Sequence, residues 1–475
     1  MASSPRLVTG ERQAPVQDTE ERQSISDEKG WPIPDGCLRD NSSMAESDKA
    51  TEIGIACNQQ DLRALRNLAA TRGGLLIDSL RQKAWPLLLG VDQESTTAPQ
   101  SSWESLPTHK DENQVKLDVD RAFVYYPSES DAQLSTRRTS LQTLITVVLR
   151  RHPYLSYFQG YHDIVQVFLL VFGSSPLNKP AKETKQPQIS AECMACIERL
   201  SLLRIRDFLL PTLDGLNAHM SLLPSILEVA DTELYVHIRQ THRSYSLSGI
   251  LTLYAHEIQD YDVIARLFDF LLATDAVMSV YLFGAIILSR RDTVFEIEST
   301  DTDMLLHTLS KLPQPLDLEA LIAHALHLYS QYPPLKLPHG AWRQISSNSV
   351  LKTCSYGHDG YRKIRGKART RTTWQGENTS SIAKKKPRSS IPFEDQTLQD
   401  GEAYFHAQAA ELKRAEAREK VRKKFFSLWI RYRKPARNLA LFTTVAVFAY
   451  WLRSGTDLNM ALMDILRNLR GMRTT

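Results

Sequence analysis

The chain has 475 residues, 42% of them hydrophobic and 24% charged, which is ordinary for a globular protein and leaves enough apolar material for a sizeable core. Its five cysteines, Cys37, Cys57, Cys193, Cys196 and Cys354, are odd in number and scattered, which excludes a disulfide framework and fits a reducing compartment. Net charge is only +4, but it is unevenly distributed. Ten Lys or Arg stand against one acid, Glu377, between Arg362 and Arg388, and eleven more lie between Lys413 and Arg437.

In chain order, residues 1–58 are polar, lack periodic apolar positions and contain no signal-peptide core, which predicts a disordered cytosolic arm. Residues 59–336 read as successive helices. "LQTLITVVLRR" puts Leu141, Leu144, Ile145, Val148 and Leu149 on one face. "DVIARLFDFLLATDAVMSVYLFGAIILSRR" is apolar almost all round over two helix lengths, as at the centre of a large bundle. Strand alternation is nearly absent, so the predicted fold class is all-α. Gly73-Gly74, Pro127 and "YPPLKLP" mark helix ends, and "GSSPLNKPAKETKQPQ" reads as a surface loop.

Residues 337–400 have the composition of a basic low-complexity linker, and 401–434 that of a charged juxtamembrane helix. Within the predicted transmembrane anchor, 437–453, the fourteen residues from Leu439 to Leu452 are uncharged. They span roughly 21 Å as a helix, against roughly 30 Å of bilayer hydrocarbon. Interfacial Tyr450 and Trp451 and snorkelling Arg437 and Arg453 would extend the reach, and the basic excess before the segment places the folded body on the cytosolic side of the 454–475 tail. A buried helix or an interfacial hairpin is the alternative.

Candidate chemistry is sparse. "CMAC" is a lone C-x-x-C and reads as two core cysteines; "HALH" (His324, His327) reads as partly buried structure. No P-loop and no glycine-rich dinucleotide turn is present, so the chain has no evident nucleotide site of its own. "RKIRGKARTRTTW" and "KKKPR" admit a nucleic-acid or nuclear-import reading, but no nucleic-acid partner is expected; basic linkers beside an anchor more often face anionic headgroups or solvent. Two polar placements stand out. Asp118 and Arg121 are three apart on one helical face, and Gln159-Gly160 interrupts the aromatic run "YLSYFQGYHDI" just before a helix expected to begin near Tyr161.

In order, "LRQKAWPLLLG" (Arg81, Trp85), "VKLDVDR" (Val115, Asp118, Arg121) and "YFQG" (Tyr157, Gln159, Gly160) resemble the three signature motifs of the TBC domain of Rab GTPase-activating proteins, with Val115 for isoleucine as the one departure. The resemblance covers about Asp61 to Pro334. "YFQGYHDI", "RLFDFLLA" and "LYSQYPP", with a terminal apolar anchor, further resemble the branch held in the endoplasmic reticulum membrane and directed at the Rab of early secretory traffic.

What the resemblance implies is a TBC-type helical bundle that regulates an enzyme and is not one itself. Arg121 would be an arginine finger and Gln159 a glutamine finger that positions water, both entering the site of a GTP-loaded Rab, which carries its own GTP and Mg2+; no cofactor of this chain is implied. Asp118 would orient Arg121, with Tyr157, Gly160, Arg81 and Trp85 in support. No metal site is implied. The alternative is a catalytically silent Rab-binding scaffold or membrane tether.

Overall fold

The computed structural model describes residues 42–91, 103–127, 130–173, 189–355 and 391–471. Among them there is helix and turn but no strand, in agreement with the all-α expectation. The surface loop expected at 173–188 falls, from residue 174, outside the described residues, as do both basic runs read between Arg362 and Arg388.

Helix starts follow from short acidic or hydroxyl residues that accept the otherwise unpaired first N–H groups. Asp61 takes the N–H of Arg63 and Ala64, Asp260 that of Val263 and Asp317 that of Ala320. Ser130 and Gln133 form a reciprocal capping box at the head of Asp131–Arg151. All five apolar residues predicted to share a face of that helix are buried. The centre of the core is the pair Tyr261–Ala273 and Met278–Leu288, nearly every side chain of which is buried; Met278–Leu288 packs most extensively against Leu318–Gln331.

The packed body is larger than the sequence suggests at both ends. Ser42–Gln59, assigned to the arm, is a helix that buries Ile53, Ala56 and Cys57. Past residue 336, Trp342, Ile345, Val350 and Leu351 are core, and the chain returns at 391 to bury Phe393, Tyr404 and Phe405. Arg199 Nη2 donates to the Gln396 carbonyl at 2.9 Å, and Gln396 Nε2 to the Thr353 carbonyl at 2.7 Å. These apolar residues are too widely spaced among polar ones to produce a periodic signal, so the span resembles a linker in composition while contributing to the core.

From 398 the chain forms one helix, Leu398–Gly471, in place of the separate juxtamembrane helix, anchor and tail. Its first turns pack on the body through Tyr404, Phe405 and Gln408; beyond Leu412 every described side chain is exposed. Among the described residues no helix is long and apolar enough to cross a membrane, because charge flanks the fourteen-residue apolar run too closely. The side chain of Arg437 lies outside the described residues.

Candidate functional site

The second motif ends the short helix Glu112–Val119. Val115 and Asp118 face inward, and Arg121 lies in the turn beyond rather than on the helix. The three-residue spacing still brings its Nη2 2.8 Å from Asp118 Oδ1, while Nε donates to the Leu117 carbonyl at 3.2 Å. The exposures are unequal: the Arg121 side chain is 68% exposed and that of Asp118 1%. A buried carboxylate thus holds the base of a guanidinium that projects into solvent.

The turn that follows is held from behind. Phe123 has φ +62, a left-handed value that is rare for a bulky residue, and its N–H donates to Gln166 Oε1 at 3.1 Å. Arg138 Nη2 donates to the Ala122 carbonyl at 3.1 Å. Gln166 is buried on the helix Tyr161–Gly173, so the arginine turn is pinned to the helix that follows the third motif.

The third motif lies in the loop between Asp131–Arg151 and Tyr161–Gly173. Its backbone is tied down by Tyr157 N–H to Asp111 Oδ2 at 2.9 Å and Ser156 N–H to the Leu209 carbonyl at 2.8 Å. Gly160 has φ +108, and a Cβ there would come within 2.6 Å of Thr252 Cγ2, so only glycine fits both conformation and space. Gln159, one residue earlier, is exposed and makes no hydrogen bond among the described residues.

The two loops meet at Asp118. The Tyr157 hydroxyl donates to Asp118 Oδ2 at 3.0 Å, and Gln114 Nε2 donates to Oδ1 at 3.0 Å. Burial, reinforced by the adjacent Asp118 charge, pushes the Tyr157 phenol far above its usual range and keeps it a donor. His162 Nδ1 lies 3.1 Å from the same hydroxyl; burial lowers that imidazole and favours its neutral form. Asp163 stands 3.3 Å from His162 Nε2 and 2.9 Å from His256 Nδ1, and its hydrogen bond raises His256.

Arg81 and Trp85 belong to a different cluster, around Asp269. Asp269 is fully buried and accepts from Arg81 Nε at 3.2 Å, Trp85 Nε1 at 2.8 Å and the Leu75 N–H at 2.9 Å. Burial pushes its carboxyl up, opposed by these donors, and Gly74 lets the chain pass so near that a Cβ would reach 2.6 Å from Oδ2. Both first-motif residues are buried, so they brace the helix Asp78–Leu89 against Tyr261–Ala273 and present nothing to a partner.

Cys193 and Cys196 are both buried, and burial pushes both thiols up. His324 and His327 are half-buried on Leu318–Gln331.

Sequence reasoning did not identify Asp111, Gln114, His162, Gln166 and Asp269. The signal available in the sequence is a Gln or Asp inside an apolar helix, as in "RLFDF", because such a residue requires a partner once buried.

Comparison with known proteins gives the same assignment. The Rab-GTPase-TBC domain profile matches residues 78–295. The chain is 33% identical over 315 residues to TBC1 domain family member 20 of Bos taurus, covering 65% of this chain and 73% of that protein. It is 35% identical over 301 residues to the Mus musculus protein of the same name, covering 62% and 70%. To the GTPase-activating protein gyp10 of Schizosaccharomyces pombe it is 30% identical over 305 residues, covering 63% and 77%. With identity of 30% or more to these relatives over more than two thirds of their length, the chain belongs to the Rab-GTPase-TBC domain family.

Proposed function

We propose that this protein is a GTPase-activating protein for a GTP-bound Rab-family small GTPase, into whose active site it inserts Arg121 and Gln159. One observation carries the reading: an exposed arginine and the loop of an exposed glutamine are joined through one buried carboxylate, Asp118. Phosphoryl transfer needs charge neutralised on the transferring group and a water held in line. A guanidinium stays charged and forks onto phosphate oxygens. A neutral amide accepts from water while donating to an oxygen, so Gln159 would hold the attacking water in place of the GTPase's own glutamine. Asp118 orients Arg121 before docking; Tyr157 and Gly160 hold the glutamine loop.

The same proposal places the protein at the endoplasmic reticulum membrane, in traffic between that compartment and the Golgi, with its helical body in the cytosol. The sequence resemblance to the membrane-held branch supports this, together with the apolar run 439–452, where Leu441, Phe442, Val445 and Phe448 are exposed. With fourteen residues, the run would have to tilt its flanking arginines outward or enter one leaflet only.

The test is capture of the transition state. A cognate Rab loaded with GDP and aluminium fluoride is expected to co-elute with the full chain and not with Arg121→Ala. Equal capture by that variant would remove the arginine from the site.

A further inference from the structure

We propose that residues 421–433 of the C-terminal helix form an in-plane binding face for an anionic lipid surface, separate from the apolar run at 439–452. Beyond Leu412 the helix leaves the body and its described side chains are exposed. Val421 is 68% exposed, Phe425 68%, Phe426 57%, Trp429 51% and Ile430 45%. Val421, Phe425 and Trp429 recur at every fourth position and so share one face. Phe426, beyond Arg422 and Arg433 on the helix surface, stacks on Trp429 with ring centroids 5.8 Å apart.

Charge identifies the occupant. At about 100° per residue, Arg422 and Arg433 border the Val421–Phe425–Trp429 stripe on one side, between Trp429 and Phe426, and Lys424 and Arg431 lie along its other side. Arg433 lies over the Trp429 ring at 5.6 Å, a position from which its charge can stay at headgroup level while the ring inserts. From Lys420 to Arg433 there are six Lys or Arg and no acid. A second copy of the chain would bring like charges together along both borders, whereas an anionic bilayer satisfies the borders and the apolar centre at once.

Pro435 follows directly. It sits inside the continuous helix Leu398–Gly471 but lacks an N–H, so the ladder is one hydrogen bond short between the in-plane segment and the apolar run beyond it. The lipid contact does not depend on that run inserting, nor on the GTPase reading.

The chain lacking 439–452 is mixed with vesicles of phosphatidylcholine alone or with phosphatidylserine added, and sedimented. Binding only to the mixed vesicles, weakened by salt, is expected, with a loss of about tenfold or more in partitioning for Phe425→Glu/Trp429→Glu. Both residues are exposed, so the double variant keeps the fold. The difference between the full chain, run in parallel, and the deleted chain reports on the apolar run. Failure of the deleted chain to pellet with mixed vesicles overturns the proposal, as does binding unchanged by the double variant, or its self-association through this face without vesicle binding.

Discussion

Asp118 Oδ2 accepts a hydrogen bond from the Tyr157 hydroxyl at 3.0 Å, across 39 residues of sequence. The other oxygen of that carboxylate holds Arg121, so the positions of the two proposed fingers are coupled. Tyr157→Phe removes the donor and leaves a buried carboxylate oxygen short of one partner, at a cost of about 1–3 kcal/mol. Urea denaturation should register that loss. GTP hydrolysis at saturating Rab should fall while the apparent affinity for Rab changes little, because the glutamine loop loosens without losing contact surface.

Gly160→Ala places a methyl group 2.6 Å from Thr252 Cγ2 on a backbone at φ +108. The strain is ~1–3 kcal/mol, to which the clash adds. Adding Thr252→Ala removes the clash but not the backbone strain, so the double variant should recover only part of the melting temperature. Full recovery would mean that backbone conformation contributes nothing there.

Burial lowers the His162 imidazole, so between its folded value and the ordinary value near ~6.5 the unfolded chain binds the additional proton. Stability contributed by the neutral ring is present above that window and is lost as pH falls through it. His256, raised by Asp163, acts in the opposite sense, but its side chain is 63% exposed and its effect is screened. The chain should therefore lose stability on acidification below about pH 6.5. His162→Gln should flatten that dependence in denaturation curves taken at a series of pH values.

Phe393, Tyr404 and Phe405 are each 2% exposed or less. Burial of a large apolar side chain is worth ~1.5–3 kcal/mol, so a chain ending at residue 390 should melt well below one ending at 416. Rings of this segment also reach the glutamine loop: Tyr154 lies 5.0 Å from Phe405 and 4.8 Å from His406. Differential scanning fluorimetry of the two truncations checks the stability difference.

Long periodic elements were legible in the sequence. The helix carrying Leu141 to Leu149 and the apolar pair around Phe268 and Phe283 follow from spacing alone. Arg121 and Gln159 were legible as polar residues in apolar settings whose order resembles a family pattern. The return of Phe393 and Tyr404 to the core was not, because three aromatics over thirteen residues carry no period. Nor was the coupling through Asp118 to Tyr157, because a contact between distant segments leaves no local trace. Ser42–Gln59 is hidden for a related reason: among its described side chains, only Ile53, Ala56 and Cys57 reach the core.

The central claim is that Arg121 and Gln159 act in trans on another protein's nucleotide. Single-turnover GTP hydrolysis across a panel of Rab proteins, with the full chain added, tests it most directly. At least one Rab should be accelerated, by ~10³-fold or more, with Arg121→Ala and Gln159→Ala each removing most of the gain while binding to the GTP-loaded Rab survives. Full acceleration by both variants, or GTP-dependent binding by the unaltered chain with no acceleration of any Rab, would contradict it.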